Sequence, residues 1–252
     1  MLTNGSLATA LEFANASSIA NDVVVTETET NYDADGNAVA TATADRLSTA
    51  GDDVTGALIG GFDSNDTPIG GLGNDVARAT AELMTYDAAG RETGQIQYGT
   101  DGAALYSSFG YDAAGNQSTV TDPRDIESKT FFDMLGEQTK TVADYTDGTP
   151  TNDSNQTTEF SYDGDGHVVT MTAVMPEGTN SQTTAYVYGV GSSGNLYSND
   201  LLAKTEYPDL STGDASTSSA NDVSMTYDNL GEMLTKTDQN GTTHTFSYDV
   251  LG

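Results

Sequence analysis

The sequence predicts an all-β protein made of stacked antiparallel β-hairpins, and three observations lead to this fold class. A five-residue turn motif recurs along the chain, and many of the segments beside it alternate in the way that strands do. Thr and Tyr, which favour strands, and Gly, Asn and Asp, which favour turns, are abundant. Self-similarity at a spacing of about 20 residues or more is typical of repeat architectures, in which each unit packs on its neighbours.

The turn motif consists of an aromatic residue, Asp, two variable residues and Gly. Asp is favoured at the first position of a type I turn, where its carboxylate can accept backbone N–H groups. Gly fits the left-handed position that closes a hairpin through a bulge, and the aromatic residue would end the incoming strand and pack across the hairpin. The residues predicted to form these structural turns are Tyr32, Asp33, Gly36, Tyr86, Asp87, Gly90, Tyr111, Asp112, Gly115, Phe132, Asp133, Gly136, Tyr162, Asp163, Gly166, Tyr227, Asp228, Gly231, Tyr248, Asp249 and Gly252.

The spacing of the motifs indicates one basic period that insertions lengthen. The steps from Tyr86 to Tyr111, from Tyr111 to Phe132 and from Tyr227 to Tyr248 are 25, 21 and 21 residues. The longer steps contain polar segments without periodicity, which are typical of surface loops or long hairpin tips. The insertions are predicted at about 44–78, 144–157, 190–200 and 208–221.

The domain organisation expected from this pattern is a short lead-in followed by one repeat region. Residues 1–21 are predicted to be poorly ordered or to hold one short helix, and residues 22–252 to form the repeats. Beyond residue 20, a weak helical period remains at Asp75–Met84. The seventh motif is interrupted at Gly252, so we expect either a segment of something longer or a subunit whose last strand pairs elsewhere.

The composition excludes several classes of function. Asp and Glu total 38 against 8 Lys and Arg, for a formal net charge of -30 that repels nucleic-acid phosphates and anionic membrane surfaces. No apolar run is long enough to insert into a membrane as a helix. The absence of Cys excludes disulfides, thiolate catalysis and cysteine zinc sites. An acidic, Thr-rich and cysteine-free chain favours an extracellular or cell-surface location.

The Tyr-Asp-x-x-Gly pattern resembles the YD repeat of the RHS (rearrangement hotspot) family over roughly residues 22–252. The resemblance is closest from Tyr111 to Gly136, where Thr121-Asp122-Pro123 looks like the second conserved turn of that family. Thr237-Asp238-Gln239-Asn240-Gly241 occupies the same place after Tyr227.

This resemblance implies long β-hairpins stacked side by side into a curved or spiralling sheet. In known relatives such a sheet wraps into a hollow cocoon, which encloses C-terminal toxins, forms part of insecticidal toxin complexes or belongs to adhesion proteins. The expected architecture is therefore an antiparallel sheet of YD-repeat hairpins that is either part of a shell or the subunit of a filament.

Candidate functional residues are few. Asp33 with Asp35 and Asp163 with Asp165 form Asp-x-Asp-Gly clusters, whose hard oxygen ligands suit Ca²⁺. Neither cluster has the later acidic ligand of an EF-hand loop, so turn capping is the main interpretation and Ca²⁺ binding the alternative.

The two histidines and the catalytic motifs indicate no active site. His167 and His244 lie on predicted strands without a ligand cluster in the sequence, and we expect packing or surface roles for them. No nucleophile elbow and no phosphate-binding loop is present. The chain is therefore not expected to be an enzyme or to need a cofactor.

The function expected from the sequence is that of a non-catalytic structural repeat protein of an extracellular or cell-surface assembly. Open sheet edges recruit further strands, so its partners would be copies of itself, in a filament, sheath or shell, or adjacent segments of a longer chain. One alternative is a shell segment of an RHS-type toxin-encapsulating protein. The other is an adhesin module that binds glycans through loops 48–74 and 190–221.

Overall fold

The computed structural model describes residues 23–48, 57–59, 62, 77–99, 103–191 and 196–249, which form fifteen β-strands and no helix. The all-β prediction is therefore confirmed for these residues. The lead-in 1–21 lies outside them. The strands are β1 (Thr26–Tyr32), β2 (Ala38–Arg46), β3 (Ala77–Tyr86), β4 (Glu92–Tyr98), β5 (Ala104–Tyr111), β6 (Gln117–Thr121), β7 (Glu127–Phe132), β8 (Gln138–Ala143), β9 (Gln156–Tyr162), β10 (Val168–Val174), β11 (Gln182–Val190), β12 (Ser198–Glu206), β13 (Asp222–Tyr227), β14 (Met233–Thr237) and β15 (Thr243–Thr245).

The chain divides into two units, Met1–Gly110 with Thr121–Asp125, and Tyr111–Val120 with Ile126–Gly252. In the first unit, β1 to β5 pair antiparallel in chain order. In the second, β7 to β15 do the same. Pairing in chain order is the arrangement of stacked hairpins that the repeat pattern predicts. The described residues contain no helix that is long and apolar enough to cross a membrane.

Successive connections lie at alternate ends of the strands in each unit, because neighbouring strands run in opposite directions. In the first unit, the turns capped by Asp33 and Asp87 lie at one end of the strands, and β2 ends and β3 begins at the other. In the second unit, the turns of Asp133, Asp163 and Asp228 lie at one end of the strands. The connections 144–155 and 207–221 of the second unit lie at the opposite end.

The weak helical period at Asp75–Met84 does not correspond to a helix in the described residues 77–84. Most of this segment is strand β3, which pairs with β2 on one side and β4 on the other. Backbone hydrogen bonds on both sides outweigh the weak helix preference of its Ala, Glu, Leu and Met residues.

The small apolar core of the first unit is built on alanine. Strand β2 alternates Ala40, Ala42 and Ala44, which are fully buried, with residues that face the other side of the sheet. Ala79 and Ala81 of β3 continue this surface. Side chains this small let a covering segment approach the sheet closely.

The segment that covers the alanine surface belongs to the insertion between β2 and β3. Leu58 and Ile59 are buried against the alanines, and Phe62 packs against the same cluster. The Glu27 carboxylate in β1 accepts hydrogen bonds from the backbone N–H groups of Leu58 and Ile59, the second at 2.8 Å. The described part of this insertion is therefore fixed to the sheet by both apolar and polar contacts.

Both units carry paired hydroxyl groups between neighbouring strands, and those of β1 and β2 lie on the side of the sheet opposite the alanines. Thr28 lies 3.1 Å from Thr43 across β1 and β2, and similar contacts recur between other neighbouring strands. Cross-strand Thr pairs add a few tenths of a kcal/mol or more each, in the range of about 0.2–1 kcal/mol. The other pairs are Thr30–Thr41, Thr85–Thr93, Thr172–Thr183, Thr226–Thr235 and Thr237–Thr243.

Two insertions of the second unit have their own hydrogen bonds. In the loop 144–155, Asn155 is 2% exposed and its side-chain amide accepts from the Thr146 backbone N–H and donates to the Thr146 hydroxyl, both at 2.8 Å. In the connection 207–221, the Gly213 carbonyl accepts from the backbone N–H of Thr183 at 2.8 Å. Both insertions therefore pack as ordered loops on the repeats.

Candidate functional site

The Asp33 turn shows how the motif reverses the chain. The backbone N–H of Asp33 donates to the Asn37 carbonyl at 2.9 Å, and that of Gly36 donates to the Asp33 carbonyl at 3.2 Å. The Asp33 carboxylate Oδ1 accepts from the backbone N–H groups of Asp35 and Asn37 at 2.9 and 2.8 Å. Gly36 has φ +90°, in the left-handed region that side chains disfavour. One carboxylate therefore caps the turn from inside.

The same cap recurs in the other described motifs. Asp249 is described, but its Gly252 lies outside the described residues. Glycines with φ between +76° and +96° close the turns that the remaining aspartates cap. These aspartates, each accepting two backbone N–H groups at Oδ1, are Asp87, Asp112, Asp133, Asp163 and Asp228, and their glycines are Gly90, Gly115, Gly136, Gly166 and Gly231.

The two further turns singled out in the sequence use the same bond. Asp238 Oδ1 accepts from the backbone N–H groups of Asn240 and Thr242 at 2.9 and 2.8 Å. Asp122 Oδ1 accepts from the Arg124 N–H at 2.8 Å, and Asp125, with φ +61°, stands where the other turns have Gly.

The aromatic residue of each motif marks the end of the incoming strand. It is the last residue of β1, β3, β5, β7, β9 and β13. The register shifts at this residue in several hairpins, for example between Asn31 and Tyr32 and between Thr226 and Tyr227. Such a bulge adds the extra residue that a tight Gly-closed turn needs.

The hydroxyl groups of the motif tyrosines join neighbouring hairpins. The sequence suggested packing across the motif's own hairpin, but Tyr86 donates to the Ala38 carbonyl of the preceding hairpin at 2.9 Å. In the second unit, Tyr162 donates to Gln138 and Tyr248 to Met233, at 2.8 and 2.9 Å. Ala38, Gln138 and Met233 each lie two residues after the Gly of the preceding motif. The fourth bond of this kind joins Tyr227 to the carbonyl of Leu202 at 2.8 Å.

The position directly after the motif Gly, called the donor position below, is a second functional feature that sequence reasoning missed. Asn37 Nδ2 donates to Asp33 Oδ2 at 2.9 Å, so the cap receives a third hydrogen bond. Asn116, Arg91 and His167 occupy the same position and lie 2.8 to 3.0 Å from the second oxygen of their aspartates. The signal was present in the sequence as the recurrence of Asn, Arg and His after Gly.

Hydrogen bonds from the donor position shift the pKa of the capping aspartates. The side chains of Asn37, Arg91 and Asn116 are the largest cause of the lowered pKa of Asp33, Asp87 and Asp112. In the remaining turns the backbone N–H of the donor position is the largest cause of the lowered pKa of Asp133, Asp163 and Asp228. Ionised caps therefore stabilise the turns.

Two turns have an acid at the donor position. Burial raises the pKa of Glu137, and the charge and hydrogen bond of Asp133 raise it further. Burial and a hydrogen bond with Asp228 likewise raise the pKa of Glu232. In these turns a carboxyl group serves as the donor only when it is protonated.

The sequence-derived Ca²⁺ candidates differ in their surroundings. Among the described residues, the group of three potential ligands is Asp163, Asp165 and His167, whose ligand atoms lie within 4.8 Å of one another. The pair Asp33 and Asp35 belongs to no such group in the described part of the chain.

Strands β11 and β12 add two residues to the His167 cluster that the sequence did not connect with it. Asp200 Oδ1 lies 3.5 Å from His167 Nε2, and the Tyr188 ring stacks on the imidazole with centroids 4.6 Å apart. His244 lies on β15 opposite Lys236 and is exposed.

Two glycines of one turn separate the effect of backbone conformation from the effect of losing Gly. Gly166→Ala forces a side chain into φ +87° and places Cβ 3.2 Å from Glu137 Oε1, so we expect the free energy of unfolding to fall by about 1–2 kcal/mol. Gly164→Ala has open space and an ordinary φ, and should change the unfolding free energy by less than about 0.5 kcal/mol. Urea unfolding followed by circular dichroism measures both, and equal losses would contradict the left-handed turn.

Glu232→Gln replaces a titrating donor with an amide that can donate to Asp228 at any pH. Because the pKa of Glu232 is raised on folding, its stabilising contribution is complete below the unfolded-state pKa and is lost as pH rises through the folded-state pKa. We expect the variant to have a higher urea midpoint than wild type at pH 7. The difference should shrink towards about pH 4, where Glu232 is itself protonated.

The control for this comparison is Glu177→Gln, in the exposed loop between β10 and β11. It should show no such pH-dependent difference in urea midpoint. A Glu232→Gln variant with the same urea midpoint as wild type at pH 7 would disprove the hydrogen bond from protonated Glu232 to Asp228.

The comparisons with known proteins agree with this geometry. The RHS Repeat family model matches residues 86–126, which contain the turns of Asp87, Asp112 and Asp122. The crystal structures of TcdB2-TccC3, TcdB2-TccC3-Cdc42 and TcdB2-TccC3-TEV are each similar to 83% of this chain, with 16% identity and a TM-score of 0.50. The similarity covers 9% of each of those chains, so this chain spans a small part of their length. No curated protein matches the sequence.

At this level of identity the solved structures show a shared fold, and the family model supplies the sequence match. The resemblance to the RHS/YD-repeat family that the turn motif predicted is therefore confirmed. Residues 86–126 of this chain match the RHS Repeat family model.

Proposed function

We propose that this chain is a non-catalytic wall segment of an RHS-type shell in an extracellular or cell-surface assembly. The observation that carries the proposal is the bond from a motif tyrosine to the backbone of the preceding hairpin. It recurs at Tyr86, Tyr162, Tyr227 and Tyr248. Each of these four tyrosines thus holds its own hairpin to the one before it, which is the mechanical requirement of a wall built from repeats.

The strand pairing supports the same role. An isolated hairpin is marginally stable in water, and a repeat gains stability from the interface with its neighbour. Here the backbone ladders, the threonine pairs and the tyrosine bonds all lie between adjacent strands or adjacent hairpins. The stabilising contacts therefore join each hairpin to its neighbours in the sheet. We infer that the partners are adjacent RHS repeats rather than a small substrate.

The similarity to longer solved chains supports a shell rather than a free-standing domain. The likeness spans most of this chain but 9% of each TcdB2-TccC3 chain. A wall segment of this kind would need neighbouring repeats to complete an enclosure. The sequence resemblance implies that RHS enclosures hold toxins, and a toxin-encapsulating shell is the form of assembly that we favour.

Self-association is the second candidate, and the exposure of Tyr32 favours it. Tyr32 ends β1, is 60% exposed and has no hydroxyl partner among the described residues. A returning strand from another copy would offer Tyr32 the same kind of carbonyl that Ala38 offers Tyr86. Such contacts would add copies to one another in a filament or sheath. Glycan binding by the loops stays a prediction from the sequence, to be tested on a glycan array.

Imaging of the native particle by electron microscopy tests the wall proposal. We expect the particle to be hollow, with the β-sheet of this chain in its wall. A solid filament of repeating copies would overturn the shell and support self-association. Dispersed single chains at high protein concentration would overturn both.

Tyr86→Phe tests the bond between hairpins in the first unit. The variant keeps the ring and removes only the hydroxyl that reaches Ala38, so we expect the free energy of unfolding to fall by about 0.5–1.5 kcal/mol. Tyr32→Phe is the matched control, since the exposed Tyr32 hydroxyl has no partner in the described part of the chain. Urea unfolding at low protein concentration should separate the two variants. An unchanged free energy of unfolding in Tyr86→Phe would contradict the proposed bond between hairpins.

A further inference from the structure

We propose that His167, Asp165 and Asp200 form a binding site for a divalent transition-metal cation, with Asp163 as the positioning residue. The cluster lies where the turn between β9 and β10 approaches strand β12. It combines one imidazole with carboxylates from two separate parts of the chain. The site would exist whether or not the chain forms part of a wall.

Asp163 fixes the histidine in the orientation that a metal ligand needs. Its Oδ2 lies 3.0 Å from His167 Nδ1, and its Oδ1 is held by the backbone N–H groups of Asp165 and His167 at 2.9 and 3.0 Å. Metal-binding histidines usually donate one ring N–H to a carboxylate and bind the metal through the other nitrogen. The turn therefore leaves Nε2 as the ligand atom.

The imidazole is also held by packing. The Tyr188 ring stacks on His167 with an angle of 20° between the planes, and the His167 side chain is 21% exposed. A ring fixed on its face and at Nδ1 loses little further freedom when Nε2 binds a cation. The ligand is thus in place before the metal arrives.

The distance from His167 Nε2 to Asp200 Oδ1 fits two ligands of one metal ion. It is 3.5 Å, longer than the roughly 2.7–3.2 Å of an ordinary N–H···O hydrogen bond. Zinc binds nitrogen and oxygen ligands at about 2.0–2.2 Å with tetrahedral angles, which separates two ligand atoms by about 3.3–3.5 Å. Asp200 is 79% exposed, so a cation can reach this gap from solvent.

The chemistry of the ligands selects the class of metal. Imidazole nitrogen suits Zn²⁺, Cu²⁺ or Ni²⁺, whereas Ca²⁺ prefers oxygen ligands alone. Asp165 is exposed, and one of its carboxylate oxygens lies within 4.8 Å of a ring nitrogen of His167. Rotation of this side chain can supply a further carboxylate, leaving the remaining positions to water. The net charge of -30 draws cations towards the surface in general, and the imidazole makes this position specific.

Comparison with the other described turns separates the metal role from the turn role. The donor position holds His only here; elsewhere it holds Asn37, Arg91, Asn116, Glu137 or Glu232. Asn37 and Asn116 satisfy their capping aspartates without an imidazole. The turn bond alone therefore does not require His167, and the feature that His adds is the second ring nitrogen facing Asp200.

Calorimetric titration of the purified chain with ZnCl₂ tests the site, using variants that keep the turn. His167→Asn places at the donor position the residue that two other turns already use, and Asp200→Asn removes an exposed charge. We expect wild type to bind one Zn²⁺ more tightly than any others, and both variants to lose at least about tenfold in affinity at that site. His244→Asn, in the exposed strand β15, is the matched control and should bind as wild type does.

Two outcomes decide the question. In nuclear magnetic resonance spectra of the histidine rings, Zn²⁺ should shift the His167 Nε2 signal, while the same concentration of Ca²⁺ should leave it in place. Zinc binding that is unchanged in His167→Asn, with circular dichroism showing the variant folded, would mean adventitious binding to surface carboxylates and would overturn the proposal.

Discussion

The hydrogen bonds from the aspartate carboxylate to the backbone of its own turn are the constraint on which the rest of the structure depends. In the Asp33 turn, one Oδ1 atom pairs with two backbone N–H groups that the reversal of the chain removes from strand pairing. Gly36 in the left-handed region then lets the returning strand begin in register. Each motif hairpin starts from such a turn, and the reversal of its strands and the bulge beside the turn follow from it.

Contacts between adjacent strands and between adjacent hairpins stabilise the sheet in place of a thick aliphatic core. Among the described residues of the first unit there is one small cluster, in which Ile59 and Leu58 cover alanines of β2 and β3. Elsewhere, adjacent strands are joined by threonine pairs and adjacent hairpins by tyrosine bonds. This explains how a chain with 38 acidic residues forms regular strands: many acids cap turns, where ionisation stabilises the fold.

The weak helical period at Asp75–Met84 was misleading because residue preference is a small term beside two complete ladders of backbone bonds. His167 was interpreted from sequence as a packing or surface residue because its neighbours there offered no ligand set. Asp200 and Tyr188 contact His167 from strands β12 and β11. Contacts between strands that are far apart in the sequence cannot be recognised from the spacing of neighbouring residues.

The sequence by itself determined the turns, since every bond of the cap joins residues within four positions of each other. It therefore also determined the hairpins, the all-β class and the resemblance to RHS repeats. Only the tertiary structure decided which carbonyl each tyrosine reaches, what covers the alanine surface and which residues surround His167. These contacts depend on the register between hairpins and on the path of the insertions, and neither is set by interactions within a single turn.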